Sequence, residues 1–369
     1  MIDLNIFDFD FNRVGEISAY ETLTIERNYD KLSKLTLQLD GNKENIDKLQ
    51  KGRILTTVDN PEYGYIIEHL EYMDEKGSKL EVIAPSLNSI LGYRTVEGQQ
   101  RFNGNVEDVA KGFVSANAIN PVNLNRIIPK LRLALNFGIT ETTDETKVGG
   151  ELDEYLYSIC NKFEMSFDVI MNHADKKLDF LTWQGIDRSI QQSENPHVIF
   201  SKEFDNVIKQ NYVNSDLNKK TVAIVAGEGE GVERKYTVTN DELSGLERRE
   251  LFVDARDLQS EYTDENNNSK TLTTGEYEET LINRGLSKLV ENGTIETFES
   301  EVDMFSQFTY GRDYQLGDVV SVANNDLGKV LHARISSATL TSNRNGVELD
   351  VKFGSNIPTL LDKIKRTVN

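Results

Sequence analysis

One segment of the sequence has the composition of a phosphate-binding loop. Gly227-Glu228-Gly229-Glu230-Gly231 follows an apolar run over Thr221–Ala226. Loops of this kind bind phosphate when they open a helix whose N–H groups face the anion. Here residues 232–238 read as another strand, no Gly-Lys-Ser/Thr follows, and two glutamates would repel phosphate. We therefore expect a hairpin turn in which the glycines supply positive φ angles.

A second segment is dense in charge. Asp254-Ala255-Arg256-Asp257 comes shortly after Glu247-Arg248-Arg249-Glu250. Paired carboxylates could serve a hydrolase, but that role needs a cleft and a spacing that a sequence alone does not give. Because 28% of the residues are charged, such clusters are expected by chance. We favour ion pairs between strands or between subunits.

Residues that bind metals or act as nucleophiles are scattered. The four histidines form no metal motif and there is no cysteine pair. Cys160 lies on the apolar face of a predicted helix, where a buried thiol is usually inert, and a Cys–His nucleophile has no supporting motif. Neither Gly-x-Ser-x-Gly nor His-Glu-x-x-His occurs. The sequence predicts no enzyme, no cofactor and no metal, with a cell-wall hydrolase as an alternative.

The totals set wider bounds. The chain has 369 residues, enough for two or three domains. With 61 acidic and 41 basic residues, its net charge of −20 makes it a poor general binder of nucleic acid. One cysteine excludes an internal disulfide. We expect no signal peptide, because the N-terminus lacks a basic region, and no membrane partner, because no apolar run is long enough to span.

Elements that would position these residues can be read from periodicity. Residues 1–95 alternate in the manner of short strands, as Leu35, Leu37 and Leu39 do with the polar residues between them. Many short strands at close spacing predict a sandwich or a barrel.

Periodicity changes near residue 100. Asn105 can cap a helix with acidic residues in its first turn, and a second helix begins near Leu152. Two strands follow, over Met165–Ile170 and Leu178–Trp183. Residues 96–199 therefore predict an α/β insertion in a β protein.

Beyond residue 200 the pattern returns to strands. One helix is predicted over 275–291, and three alternating runs separated by turn residues fill 308–353. Pro358 can open a last amphipathic helix. The fold class predicted is mainly β with an α/β insertion, that is, α+β.

Five stretches together resemble a known family, the Gp37-like tail proteins of siphoviruses. They keep a family-like order and spacing from about residue 100 to 355, and they are Phe102–Ala110, Val198–Val207, Ala223–Gly231, Ser244–Leu258 and Tyr310–Val320. Residues 1–95 fit by strand pattern only.

The resemblance implies a baseplate hub or tail-tip protein, similar to the N-terminal part of tail-associated lysins. Such hubs are homotrimers in which each subunit supplies two β-barrel-like domains, so that three chains make a pseudo-sixfold ring. The expected partners are the distal tail protein or tail tube, the tape measure protein and a fibre or spike protein, with DNA as transient cargo in the lumen. We expect the protein in the virion, and in the host cytoplasm before assembly.

This plan divides the chain into domains. It places a first β-barrel-like domain at 1–95, with residues 200–240 as a candidate return to it. The α/β insertion follows at 96–199, the second β-barrel-like domain at 200–355 and a C-terminal helix at 356–369. Since the sequence ends at Asn369, just after that helix, we expect the fibre or lysin on another chain, docked on the helix.

No catalytic residue follows from the resemblance, so the candidate site residues are structural or interfacial. The glycines would permit tight turns, and the charged residues would pair within or between subunits: Asp254, Arg256, Gly311, Arg312, Gly317 and Asp318. The −20 charge suggests a lumen that repels DNA. A receptor-binding adhesin is a second alternative, which 14 tyrosines leave open.

Overall fold

The computed structural model describes residues 1–74, 77–263 and 269–354. The helix predicted over 356–369 lies outside the described residues. Strands predominate over helices, and the chain is mainly β with an α+β fold, as the sequence predicts. No helix in the described ranges has the length and apolar character needed to cross a membrane.

The first 95 residues are organised around short strands and one small helix. Strand β4 shows the reason, since its three leucines are buried and its polar residues lie on the other face. The elements are β1 (Leu4–Phe7), β2 (Arg13–Ile17), β3 (Thr22–Asn28), β4 (Lys34–Asp40), α1 (Lys43–Lys48), β5 (Ile54–Thr57), β6 (Tyr65–Ile66), β7 (His69–Asp74) and β8 (Ser78–Pro85).

The two predicted helices and two predicted strands of the next hundred residues are confirmed. They are α2 (Val106–Val114), α3 (Leu152–Lys162), β12 (Ser166–Asn172) and β13 (Lys177–Trp183). The region also contains β9 (Gln99–Asn105), β10 (Leu131–Leu133), β11 (Thr142–Val148) and β14 (Ile199–Phe200). Asn105 caps α2 by accepting a hydrogen bond from the N–H of Glu107 at 2.9 Å. We call residues 96–183 the α/β unit; Phe113, Phe167 and Phe180 lie in its core.

Strand β15 (Val207–Ser215) leads into a small lobe, residues 216–294. The lobe contains β16 (Val222–Ala226), β17 (Tyr236–Thr239), β18 (Glu250–Asp254), β19 (Glu261–Thr263), β20 (Ser269–Thr271) and α4 (Thr274–Glu291). The antiparallel pairing of β16 with β17 confirms that Gly227–Gly231 belongs to a hairpin connection. Helix α4 packs on one face of this three-stranded sheet, where Gly285 allows its close approach to Val225.

The three alternating runs predicted in residues 308–353 are strands. The C-terminal elements are β21 (Ile295–Val302), β22 (Val319–Asn324), β23 (Lys329–Asn343) and β24 (Gly346–Phe353).

Strands from both ends of the chain form one sheet, the main sheet. Its eight strands run in the order β15-β21-β24-β23-β3-β4-β8-β7, every neighbouring pair is antiparallel, and β22 with β14 branches from β23. Within the described residues this sheet does not close on itself. Strand β15 pairs with β21 rather than with the first 95 residues, and the division into domains stays a prediction.

One face of the main sheet is buried and the other is polar. In the strands formed by the first 95 residues, the buried face contributes Leu23, Leu37 and Val82 to one hydrophobic core. Beneath the C-terminal strands it contributes Phe298 and Phe353 to another. Burial of one face fixes the register, because a one-residue slip would turn every apolar side chain outward.

Candidate assembly site

The main sheet ends in two strands, β7 and β15, that each have a single neighbour among the described residues. An edge strand offers unpaired N–H and C=O groups, which makes it a template for pairing with another chain. Both edges carry exposed large side chains, Tyr72 at 51% and Ile208 at 55% exposure. We call β7 and β15 the free edges and treat them as the candidate assembly site.

The hydrogen bonds of the C-terminal strands determine which backbone groups of β15 point outward. The N–H of Gly354 donates to the carbonyl of Arg334 at 2.8 Å, so the N–H and C=O of Phe353 face β21 instead of β23. Phe298, opposite Phe353, therefore bonds to β24. Tyr212 lies opposite Phe298 and directs its N–H and C=O to the free edge.

Side chains hold β15 in place. The ring of Tyr212 packs on that of Phe298 with 4.9 Å between centroids, and its hydroxyl donates to Glu296 at 2.6 Å. Lys209 pairs with Glu301 on the polar face at 2.5 Å. The edge is therefore an ordered strand that is attached to the core through its inner neighbour.

Asp318 lies in a buried junction between the C-terminal strands and the segment that leaves the α/β unit. Its side chain is fully buried and accepts hydrogen bonds from the N–H of Ile186 (3.0 Å), the N–H of Gln315 (3.1 Å) and Nε of Arg188 (2.9 Å). A buried charge is tolerated when it is paired and fully hydrogen-bonded. The carboxylate thus fixes two loops at the base of β22.

Gly317 lies beside this carboxylate and has no room for a side chain. Its φ is +87°, and a Cβ there would approach the ring of Tyr29 to 2.5 Å and that of Trp183 to 2.8 Å. The backbones of Gly185 and Gly317 also touch, since a Cβ on Gly185 would lie 2.0 Å from the carbonyl of Gly317. The junction therefore depends on backbone contact as well as on charge.

Arg334 extends the junction to the α/β unit. Its guanidinium donates to the carbonyl of Gly317 at 2.5 Å and to the carboxylate of Glu164 at 2.6 Å. Tyr29, which follows β3, donates its hydroxyl to the carbonyl of Glu164 at 2.6 Å and accepts at its own carbonyl from Ser166. Main sheet, α/β unit and C-terminal strands meet at this point.

A second charged contact ties the sheet to the α/β unit. A guanidinium nitrogen of Arg27 lies 3.7 Å from a carboxylate oxygen of Asp168, and the guanidinium stacks over the ring of Tyr63 at 3.9 Å. Burial raises the pKa of Asp168, and the positive charge of Arg27 opposes that rise.

The structure places Asp254 and Arg256 away from the Asp318 junction, at the end of β18 in the lobe. Asp254 pairs with Arg256 at 2.7 Å and with Arg234 at 2.5 Å. Hydrogen bonds from Arg256, with a further one from Arg234, lower the pKa of Asp254 to about 2. These residues pair within the chain, and a role between subunits stays a prediction.

The remaining predicted site residues share the loop before β22. Gly311 has a φ of +83°. Arg312 is largely exposed and pairs with its neighbour Asp313 at 2.8 Å. The loop thus joins an exposed pair at Arg312 to the buried carboxylate at Asp318.

Across residues 1–74, 77–263 and 269–354 no group of three or more His, Cys, Asp or Glu side chains could hold a metal ion. Cys160 is buried, and burial raises the pKa of its thiol.

Residues 3–355 match the family described as Siphovirus ReqiPepy6 Gp37-like protein. The chain belongs to this family. A comparison with curated proteins gave no match.

Solved structures of tail proteins share the fold of this Gp37-like chain. The 43 kDa tail protein of prophage MuSo2 from Shewanella oneidensis has a TM-score of 0.56 at 11% identity, covering 96% of this chain and 98% of its own. A tail protein from Neisseria meningitidis MC58 has a TM-score of 0.56 at 14% identity, covering 96% and 97%. Prophage tail protein gp18 from Listeria monocytogenes EGD-e has a TM-score of 0.52 at 11% identity, covering 99% and 98%.

Several structural residues of this Gp37-like chain carry no sequence signal. Arg188, Arg27 and Asp168 stand in no motif, and their partners are more than 100 residues away. The sequence indicates only that Glu107 is an acidic residue in the first turn of a helix. The structure shows it fully buried.

Replacing Asp318 by asparagine should lower the free energy of unfolding by about 3 kcal/mol, because Arg188 would lose its buried counter-charge and an amide N–H₂ would face donors. Denaturation followed by the fluorescence of Trp183, the chain's single tryptophan, reports on this junction. Asp313→Asn is the matched control in the same loop, and its exposed pair should contribute under about 1 kcal/mol. Equal effects of the two substitutions would contradict the assignment.

Proposed function

We propose that three copies of this chain form the hub of a phage tail tip or baseplate, a structural ring around the tail axis. Family membership and the fold shared with tail proteins support a tail component. The observation that carries the ring is a repeat of strand order inside the main sheet, which ends in two free edges of opposite direction.

The two halves of the main sheet have the same connectivity. In the first half, β3 pairs with β4. The hairpin that follows along the chain, β7–β8, pairs with β4 through its second strand, β8, which gives the order β3-β4-β8-β7. In the second half, β15 pairs with β21. The hairpin β23–β24 pairs with β21 through its second strand, β24, which gives the order β15-β21-β24-β23. The lobe and the α/β unit are insertions into this repeated pattern.

The joint between the halves provides a template for the joint between copies. The last strand of the second half, β23, pairs antiparallel with β3, the first strand of the other half, over Ser337–Asn343 and Thr22–Asn28. The free edges repeat this relation, because β7 is the last strand of one half and β15 the first of the other. Since neighbouring strands alternate in direction along the path, β7 would pair antiparallel with β15 of the next copy.

Three copies joined in this way would close a barrel of 24 strands, eight from each chain. Six similar four-stranded halves around a threefold axis give pseudo-sixfold symmetry. Closure would also remove both exposed edges, which is how β proteins avoid uncontrolled pairing. In this proposal the two barrel-like domains of each chain are segments of one shared barrel.

The polar face of the main sheet would line the lumen, since the opposite face is buried. Its strand residues include four lysines (Lys34, Lys79, Lys209 and Lys352) and eight carboxylates: Glu26, Asp40, Glu71, Glu81, Glu299, Glu301, Glu348 and Asp350. Burial, with Glu301 and Glu348 close by, raises the pKa of Asp350. An excess of negative charge would repel phosphate and let DNA pass without binding.

The ring would connect the distal tail protein or tail tube to a fibre or spike protein, with the tape measure protein and then DNA in the lumen. The protein would reside in the virion after assembly in the host cytoplasm. The role is structural, and no step of it needs a cofactor or a catalytic residue.

A cryo-EM reconstruction of the assembled particle tests the proposal. We expect three copies around the tail axis, β7 of each beside β15 of the next, and a negatively charged lumen. A map that places the chain away from the axis would refute the hub. A neutral or basic lumen would refute the charge argument alone.

One observation favours a second candidate, an adhesin for host-surface glycans. The face of the lobe sheet opposite α4 exposes Tyr236 and Phe252, with the guanidinium of Arg234 about equidistant from both rings, at 5.8 and 5.9 Å. Exposed aromatic rings beside fixed polar groups are typical of recognition surfaces. If the chain is an adhesin, the purified protein should bind host cells, and a Tyr236→Ala/Phe252→Ala variant should bind at least tenfold more weakly.

A further inference from the structure

Two lysines are buried in the part of the chain that the structure describes, and their partners differ in kind. Lys162, in α3, is 7% exposed and donates to both carboxylate oxygens of Glu145 at 2.9 and 3.0 Å. Lys111, in the last turn of α2, is 6% exposed and donates to a side-chain amide, Oδ1 of Asn136, at 2.5 Å. It forms no ion pair with a carboxylate of the described residues. Because a buried ammonium without a counter-charge is costly, this site favours the neutral amine.

Glu107 lies one turn before Lys111 on α2 but does not pair with it. Its two oxygens are occupied by the N–H groups of residues 137–139 and by the hydroxyl of Thr182. Burial therefore lowers the pKa of Lys111, and the charges of Glu107 and Asp108 oppose this only in part. A neutral lysine amine is a nucleophile, whereas an ammonium is not.

The amide of Asn136 is held against Lys111 from two sides. Residues 137–139, which directly follow it, are fixed to α2 by the carboxylate of Glu107. Its own Nδ2 donates to Oδ1 of Asp108 at 2.8 Å, which turns the carbonyl side towards Lys111.

This orientation brings two reactive atoms together. Since a C=O bond is about 1.2 Å long, the nitrogen of Lys111 lies within about 3.7 Å of Cγ of Asn136. Reacting atoms in a productive arrangement are about 3–3.5 Å apart. Asn136 is exposed on its other side, so a leaving group can pass into the solvent.

We propose that Lys111 and Asn136 join in an isopeptide bond, a covalent cross-link between α2 and the segment that precedes β11. The amine nitrogen of Lys111 attacks Cγ of Asn136 and forms a new C–N bond, while the bond from Cγ to Nδ2 breaks. The proton released by the attacking nitrogen leaves with Nδ2 as ammonia. The atoms balance without an oxidant, a cofactor or a second substrate.

The cross-link would do in this chain what a disulfide does in others. The single cysteine, Cys160, excludes an internal disulfide. The new bond would join residues 25 positions apart, which restricts the unfolded chain in the same way. It would also keep residues 137–139 beside Glu107 when the rest of the α/β unit opens. This inference does not depend on the proposed ring.

The mass of the purified full-length chain tests the proposal. Measured under denaturing conditions, it should be lower than the mass of the sequence by about 17 Da, the mass of ammonia. Trypsin should fail to cut after Lys111 and should release a branched peptide that contains both Lys111 and Asn136. It should cut normally after Lys162, the buried lysine that has a carboxylate partner. A wild-type chain of unchanged mass would refute the cross-link.

Two variants separate the cross-link from other losses of ammonia and from a simple hydrogen bond. Lys111→Arg keeps a positive charge and donors for Asn136 but has no nucleophilic amine, and Asn136→Ala removes the carbon that is attacked. Each should have the full mass of its own sequence. An asparagine before a glycine can also lose ammonia by forming a succinimide, and such pairs begin at residues 103, 292 and 345. A loss of about 17 Da that persists in either variant, or a wild-type digest without the branched peptide, would therefore overturn the assignment.

Discussion

Replacing Glu107 by glutamine should lower the free energy of unfolding by about 3 kcal/mol, as large an effect as we expect at Asp318. Its carboxylate is fully buried and accepts hydrogen bonds from the N–H groups of Phe137 (2.7 Å), Gly138 (2.8 Å) and Ile139 (2.9 Å). The hydroxyl of Thr182 donates to it as well. Glutamine has one acceptor oxygen, and its amide would turn two donors towards this cluster of donors.

The same site predicts how stability depends on pH. Burial alone would raise the pKa of Glu107, but the hydrogen bonds from Thr182 and the three N–H groups outweigh it and lower the pKa below the ordinary 4.5. A carboxyl whose pKa is lower in the folded state than in the unfolded state contributes its full stabilisation of the fold at pH values above its unfolded pKa. That stabilisation is lost as the pH falls through the folded pKa. The difference between wild type and Glu107→Gln should therefore persist at neutral pH and shrink below about pH 4.5.

Denaturation curves at several pH values, read from Trp183, measure this effect directly. Trp183 follows Thr182 on β13, so its fluorescence reports on the unit that Glu107 holds together. Asp108→Asn is the matched control, because Asp108 lies in the same first turn but is exposed and accepts from Asn136. A pH-independent deficit in Glu107→Gln, or a deficit of equal size in the control, would contradict the assignment.

Local patterns predicted the elements well, because their causes are local. Asn105 as a helix cap, the alternation of Leu35, Leu37 and Leu39, and the glycine-rich hairpin connection after Ala226 each depend on neighbours within a few residues. The helix predicted over 275–291 begins one residue earlier, at Thr274, where Thr273 and Glu276 form a capping box.

Contacts distant in sequence were not predictable in this way. Glu107 reads as an ordinary first-turn acid, and its three N–H donors lie about 30 residues further along the chain. Asp318 is among the candidate structural residues, but nothing in the sequence shows that its carboxylate is buried while that of Asp313, in the same charged loop, is partly exposed. Which of several carboxylates becomes buried is decided by packing between distant segments.

The repeated strand order has no signal in the sequence either, although the family resemblance implies two β-barrel-like domains. The first half spans about 60 residues, while the lobe separates β15 from β21 in the second half. Because the insertions differ in place and size, the repeat has no fixed period in sequence. The repeat is visible only in the order in which the strands pair. That order is the reason for proposing that the two free edges pair with each other between neighbouring copies.

Proline at Gln210 and Asn214 together should abolish ring assembly while leaving the monomer folded. Both residues are an even number of positions from Tyr212, so their N–H groups point to the free edge and none is needed for pairing with β21. Proline removes a donor from an edge without breaking the inner ladder. Each ring contains three pairings of β7 with β15, and each pairing would lose two backbone hydrogen-bond donors. We therefore expect the closed ring not to form.

The measurement compares this double variant with Gln210→Ala/Asn214→Ala, which removes the same side chains but keeps both N–H groups. Native mass spectrometry distinguishes the 41.8 kDa chain from its trimer, and incorporation into tails tests assembly where the trimer forms only on contact with other tail proteins. We expect the alanine variant to assemble and the proline variant to remain folded but excluded. Tails that incorporate both variants equally would show that β15 does not pair with a neighbour, whereas unfolding of the proline variant alone would show that these N–H groups face β21.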